Sequence, residues 1–328
     1  MSLSEVSKLF FTTFISVFID IKRKSIKMLQ ISNNYTNFKN TNIKNQPNFG
    51  YNYKTHRLIT EEALKYVPEF SIITSKFAKN PENKKILLES NNIYDYLQNI
   101  FNKKSIKKLL NKTGKKSLAN KNTTEVIKQG INEKFEQRIS ESAMLPDLLK
   151  SERGFFTNRH FYFSNKPFDR ENSFGFNTED NNAFSAFFEH CRNANPQKTD
   201  KSLPVEIGMM LHYLQDMTVP MHTRQQSLLG KALDCRMHKD FENQIFEHQD
   251  ELIKNYKPNF TELSKDMNEN IYYKIFRSNC DFSQRPEIQV KRTNKEEWNN
   301  IQQEIFNRAI DSTVIALKTI VNSLIEKV

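Results

Sequence analysis

The chain has 328 residues, 37% of them hydrophobic, with a formal net charge of +11 at pH 7. That length suits one large domain or two small ones. Its seven glycines form neither a GxGxxG nor a Walker loop, which argues against a nucleotide-binding α/β fold, and no apolar run reaches the roughly 18 residues a membrane span needs.

Residues 1–50 read as a leader or flexible arm. Within them, "LFFTTFISVFID" at 9–20 has the length of a signal-peptide core or of a short buried or interfacial helix. The polar, Asn-rich stretch 29–54 has no period. Residues 51–328 are expected to form one all-α domain.

A helix is predicted over Thr55–Val67, stopped by Pro68. Residues 76–122 read as an insertion holding one or two short helices. It carries eight lysines and no acid between Asn102 and Asn122, so the rest of the chain is only +3. Such a run is either a patch for anionic lipid heads or nucleic acid, or a solvated surface. A helix follows, capped by Asn122 with Glu125, with Ile127, Ile131, Phe135 and Ile139 on one face and Pro146 as its stop. Residues 154–182 are aromatic and turn-rich, hence a long loop.

Beyond it the helical pattern resumes. "AFSAFFEHC" is short, "VEIGMMLHYLQDM" follows Pro204 and is bounded by Pro220, and a long helix is entered after Gly230. Phe260, Leu263, Met267, Ile271 and Ile275 predict one further helix. A last helix runs from Trp298 to Glu326, with Ile301, Ile305, Ile310, Val314, Leu317, Val321 and Leu324 on its buried side.

The chemistry concentrates in "LHYLQDMTVPMH". His212 and Asp216 are four apart, so they share a helix face, and His238 with Glu242 repeats that spacing. His222 lies between the two pairs. Imidazole nitrogens and carboxylate oxygens suit Zn²⁺. The three cysteines, Cys191, Cys235 and Cys280, form no CxxC, so thiolates need not take part. In the apolar helix "IGMMLHYL" a histidine and an aspartate must either ligate a metal or bond each other, since unsatisfied burial costs several kcal/mol.

The pattern His212-x3-Asp216-x5-His222 followed by His238-x3-Glu242 resembles the zinc-dependent phospholipase C/P1 nuclease family, and the Glu242 ending is similar to the phospholipase branch. His56 in "THRLITEEAL", Asp147 in "MLPDLL" and His160 in "NRHFYF" resemble that family's upstream ligands, in order. The resemblance implies an all-α domain with up to three zinc ions in a cleft between helices. One zinc would take Asp147, His160, His212 and Asp216, a second His222, His238 and Glu242, and a third His56 with Asp216 as bridge. His190 and His248 are left as structural or surface residues.

In that family an N-terminal tryptophan completes the third site. The one tryptophan here is Trp298, far downstream; a trimmed terminus is expected shortly before His56, around residues 40–51, and without trimming the third site is expected to be weak, water-completed or empty.

The activity so implied is a zinc phospholipase C acting on a phospholipid membrane surface, exported or secreted, with Asp147 as the catalytic group. It would cleave glycerophospholipid to diacylglycerol and a phosphorylated head group. The alternatives are a single-strand nuclease or 3′-nucleotidase acting on nucleic acid, and a non-catalytic membrane-binding homologue with a partial metal site. No obligate protein partner is implied. Leu148 stands where the phospholipases often carry a choline-caging aromatic. Phe156, Phe161 and Tyr162 are candidate substrate contacts; plain core packing is the other reading of these rings.

Overall fold

A computed structural model describes residues 53–100, 130–148, 159–162, 182–223, 228–264, 270–288 and 298–325. The signal-like segment 9–20, the lysine run at 102–122, the proposed cap at Asn122 and Phe156 lie outside the described residues. The chain divides into Met1–Gln46 and Pro47–Val328. Within the described residues of the second unit there are helices and turns and no strand. No helix among them is long and apolar enough to cross a membrane.

The first helix, α1, spans Tyr53–Leu64 and is followed by a 3₁₀ turn at Pro68–Phe70. The predicted helix is thus three residues too long at its C-terminal end, because the chain turns before Pro68 rather than at it. Then come α2 (Ser71–Phe77), α3 (Pro81–Glu89) and α4 (Ile93–Ile100). Asn80 caps α3 by accepting from the Glu82 and Asn83 amides. Leu87 and Tyr96 put α3 and α4 into the same core as everything downstream.

Helix α5 is Ile131–Ser142 and α6 is Leu145–Leu148. Pro146 is therefore not a helix stop: α5 has already ended, and Pro146 and Asp147 belong to a separate helical turn. Helix α7 (Ala183–Asn193) opens on a reciprocal capping box between Asn182 and Ser185.

The central element is α8, Leu203–Asp216, with Pro204 in its first turn. All its residues except Glu206 are buried, because α5, α7, α1 and the C-terminal helix pack around it. A helix apolar on every side can only be stable in that position. Each fully buried Leu, Ile or Met there contributes about 1.5–3 kcal/mol.

Helix α8 ends at Asp216, and a short turn, α9 (Pro220–Thr223), carries His222. Helix α10, Leu228–Lys254, begins two residues before the Gly230 expected to precede it. The single helix predicted over 260–275 is two: α11 (Phe260–Ser264) and α12 (Ile271–Ser283). Asn270 explains the break, since it precedes α12 in the left-handed region at φ 52°. Helix α13, Trp298–Ile325, buries all seven of the apolar residues assigned to its inner face. Trp298 is itself 1% exposed and packs edge-on against Phe241, so the one tryptophan is a core residue.

Candidate metal centre

Six separate segments bring side chains to one buried volume. His56 comes from the first turns of α1, Asp147 from α6, and His160 from the short stretch before α7. His212 and Asp216 come from the last turn of α8, His222 from α9, and His238 with Glu242 from the middle of α10. All eight are buried, at 5% exposure or less.

They form three groups, each with one donor atom per residue and all such atoms within 4.8 Å of one another. His56, Asp147 and His212 make the first, His160, His212 and Asp216 the second, and His222, His238 and Glu242 the third. Asp147 thus lies with His56, its Oδ2 3.8 Å from His56 Nε2, whereas the family resemblance implies a set with His160.

The ring orientations are set by hydrogen bonds on the far side of each imidazole. His212 Nδ1 donates to the Ala143 carbonyl at 2.8 Å, and His222 Nδ1 to the His160 carbonyl at 2.6 Å. A carbonyl can only accept, so in the neutral ring each Nε2 carries a lone pair facing inward.

His56 is held the same way by a side chain: its Nδ1 lies 2.8 Å from Gln215 Oε1. Gln215 Nε2 donates to Thr60 Oγ1 at 3.0 Å and Thr313 Oγ1 at 3.2 Å. Both threonine hydroxyls donate in turn to helix carbonyls, of His56 and Ala309. The amide orientation follows, and His56 Nε2 also points a lone pair into the cluster.

What those lone pairs meet are carboxylate oxygens and other ring nitrogens. His56 Nε2 is 3.4 Å from Asp216 Oδ1, and His212 Nε2 is 3.3 Å from Asp216 Oδ2. His222 Nε2 and His238 Nε2 face each other at 3.1 Å, with Glu242 Oε1 2.5 Å from His238 Nε2. His160 Nδ1 sits 2.9 Å from Asp216 Oδ2 and 3.1 Å from His212 Nε2, while its own Nε2 is buried without a hydrogen bond.

Acceptor facing acceptor in a dry interior is repulsive unless a cation lies between. Asp216 is also the last residue of α8, where the helix dipole adds negative potential. The donor set therefore fits a divalent ion of the zinc type, which nitrogen and oxygen ligands suit.

The protonation states agree with this. Burial, with His56 close by, pushes the His212 imidazole down to about 3. For Asp216 burial acts upward, but His222, His212 and the bond from His160 outweigh it and hold the carboxyl well below its ordinary range. A neutral imidazole beside an ionised carboxylate is the ligand form of both groups.

The candidate substrate contacts differ among themselves. Phe161 stacks on the His222 ring, centroids 5.1 Å apart at 14°. Tyr162 is 6% exposed and packs against Phe184 and Phe276, so core packing accounts for most of its surface. His190 donates from Nδ1 to Glu206 Oε2 at 2.7 Å and stacks on Tyr213, outside the cluster.

Residue patterning missed Gln215 and Gly208. Gln215 was in view as the only polar residue beside Asp216 in an apolar run. Gly208 is a lone glycine inside a helix, a pattern that often marks close packing.

No family model matches the chain, and no curated protein does. Among solved structures, the alpha toxin from Clostridium absonum is similar, at 17% identity and a TM-score of 0.46. The match covers 58% of this chain and 54% of the toxin, about half of its length. A likeness at that level defines neither activity nor ligands.

Proposed function

We propose that this protein is a zinc-dependent phosphodiesterase, of the phospholipase C kind, hydrolysing a glycerophospholipid to diacylglycerol and a phosphorylated head group. The observation that carries the reading is the set of inward-facing imidazole lone pairs opposite buried carboxylates, in three groups, two of which share His212. The residues that would hold zinc are His56, Asp147, His160, His212, Asp216, His222, His238 and Glu242.

Zinc bound there supplies Lewis acidity, neutralising charge on a phosphoryl group and easing the ionisation of water near pH 7. The chain's own part is to hold, orient and exclude. The carbonyls of Ala143 and His160 and the Gln215 amide fix three rings before any ion arrives. Asp147, at 5% exposure, is the cluster carboxylate on the shortest helix, and we assign it alignment of the attacking water and acceptance of its proton. Phe161, stacked on His222, would border the head group. No serine nucleophile is needed in such a displacement.

The test is release of phosphocholine or another phosphorylated head group from phospholipid vesicles by zinc-loaded protein, stopped by chelator and by His212→Ala. Cleavage of single-stranded DNA with lipid untouched would replace this reading by the nuclease one. Zinc-loaded protein inert on both would leave a metal-binding protein without diesterase activity.

A further inference from the structure

A second charged feature lies apart from the histidine cluster. Between the segment from Lys257 to Leu263, the end of α12 with its following turn, and α13 is a cavity of about 500 Å³, and none of the eight cluster residues lines it. Its charged lining is Lys257, Arg285 and Arg308 against Glu304 and Asp311, three cations to two carboxylates.

The two guanidinium groups are organised around one ring. Arg285 and Arg308 have their guanidinium carbons 5.7 Å and 5.4 Å from the Phe282 centroid. Arg308 is half-buried and fixed from one edge: Nε donates to Asn279 Oδ1 at 2.9 Å and Nη2 to Ser278 Oγ at 2.5 Å. Among the described residues nothing accepts from its Nη1. Burial first, and then the neighbouring Arg285 charge, pushes Arg308 down to about 10. Two like charges are thus held close at a partly desolvated site.

The Asp311 carboxylate offsets part of the Arg308 charge without hydrogen-bonding the guanidinium. Asp311 accepts from Tyr256 Oη at 2.7 Å and from the Asn259 amide at 3.0 Å, so its Oδ1 is already committed. Glu304 is exposed at the rim. What suits a pre-set planar fork with a second guanidinium and a lysine beside it is a compact, multiply charged oxyanion.

We propose that the cavity between Arg285 and Arg308 is an anion site for a phosphate group, independent of the metal centre. Inorganic phosphate and the phosphate of a lipid head group present the same chemistry to it. The cavity has room for a phosphate bearing a small organic substituent.

The experiment titrates zinc-loaded, full-length protein with inorganic phosphate by calorimetry. Any phosphate taken by the metal centre is common to every variant, so the difference between variants is what reports on this cavity. Arg285 is exposed, so Arg285→Gln leaves the fold intact, and Lys84→Gln, also exposed, is a control with the same charge change.

The expected result is one phosphate-binding event weakened at least about tenfold in Arg285→Gln, with Lys84→Gln like the unmodified protein. Zinc content stays the same in all three. A parallel arm measures flotation with phosphatidylcholine vesicles containing phosphatidate. Loss of vesicle binding in Arg285→Gln alone identifies a lipid phosphate as the ligand, and an effect confined to inorganic phosphate identifies the free ion. The proposal is overturned if Arg285→Gln matches Lys84→Gln in both arms, whatever the outcome for diesterase activity.

Discussion

Gly208 and His212 lie one helical turn apart on the same face of α8, and both press on the end of α5. A methyl group on Gly208 would sit 2.3 Å from the Ile139 carbonyl and 2.8 Å from the Ala143 amide. His212 Nδ1 bonds the Ala143 carbonyl at 2.8 Å. The absent side chain is what lets α8 approach closely enough for that bond.

Gly208→Ala should therefore damage the metal centre from a distance. Helix propensity favours alanine by about 1 kcal/mol. The clash is with backbone, which cannot rotate away, and overpacking of this kind costs about 1–3 kcal/mol. We expect a lowered thermal midpoint together with zinc affinity reduced about 10–100-fold through loss of the His212 orienting bond. A variant with unchanged melting and zinc content would show that the crossing relaxes freely.

Gln215→Leu should act on one position of the cluster. It removes the bond that sets the His56 ring and leaves the Thr60 and Thr313 hydroxyls without their amide donor. Leaving such buried groups unsatisfied costs about 1–3 kcal/mol. Zinc counting should give one ion fewer per chain at limiting zinc, with the His222, His238 and Glu242 group still loaded. Equal loss at every position would argue for general loosening instead.

The zinc-free protein should weaken in mild acid. The His212 imidazole is held down to about 3 in the fold, while in the unfolded chain it titrates near its ordinary 6.5. Between those values the unfolded state binds the extra proton, so stability falls as pH falls from about 6.5 towards 3. Asp216, held low in the fold, adds a loss of the same sign below its ordinary value of 3.8. Denaturant midpoints of chelated protein across this range are the measurement. A flat profile, or one unchanged by His212→Asn, would contradict the assignment.

Zinc itself should stabilise. At about one hundred times its dissociation constant, one bound ion adds about 2.7 kcal/mol. Glu242→Gln keeps the size of the side chain but removes the charge beside His238. It should lower the stabilisation by zinc while barely altering the melting of chelated protein. Similar melting of loaded Glu242→Gln and loaded unmodified protein would remove Glu242 from the ligand set.

Much of the helical frame was legible in the residues because its periodicity is strong. The inner face of α13 follows from a pattern local to the helix. The i, i+4 pairs at His212/Asp216 and His238/Glu242 were visible for the same reason. What could not be seen is what depends on contact between distant segments. The placement of Asp147 beside His56 needs α6 and α1 to meet, and the His56 tautomer needs α8 and α13 as well. The break at Asn270 was hidden because the apolar spacing continues across it, while a single left-handed residue decides the chain path.

One backbone arrangement has a consequence for how ions enter. His222 donates from its ring to the His160 carbonyl, and the Tyr162 amide donates back to the His222 carbonyl at 2.9 Å. The strands of chain bearing His160 and His222 are thus laced together in both directions, although these two histidines serve different groups of donors. Fixing either imidazole steadies the other, so filling should be cooperative: the first zinc captured raises the protein's avidity for the next, and partly loaded molecules stay scarce.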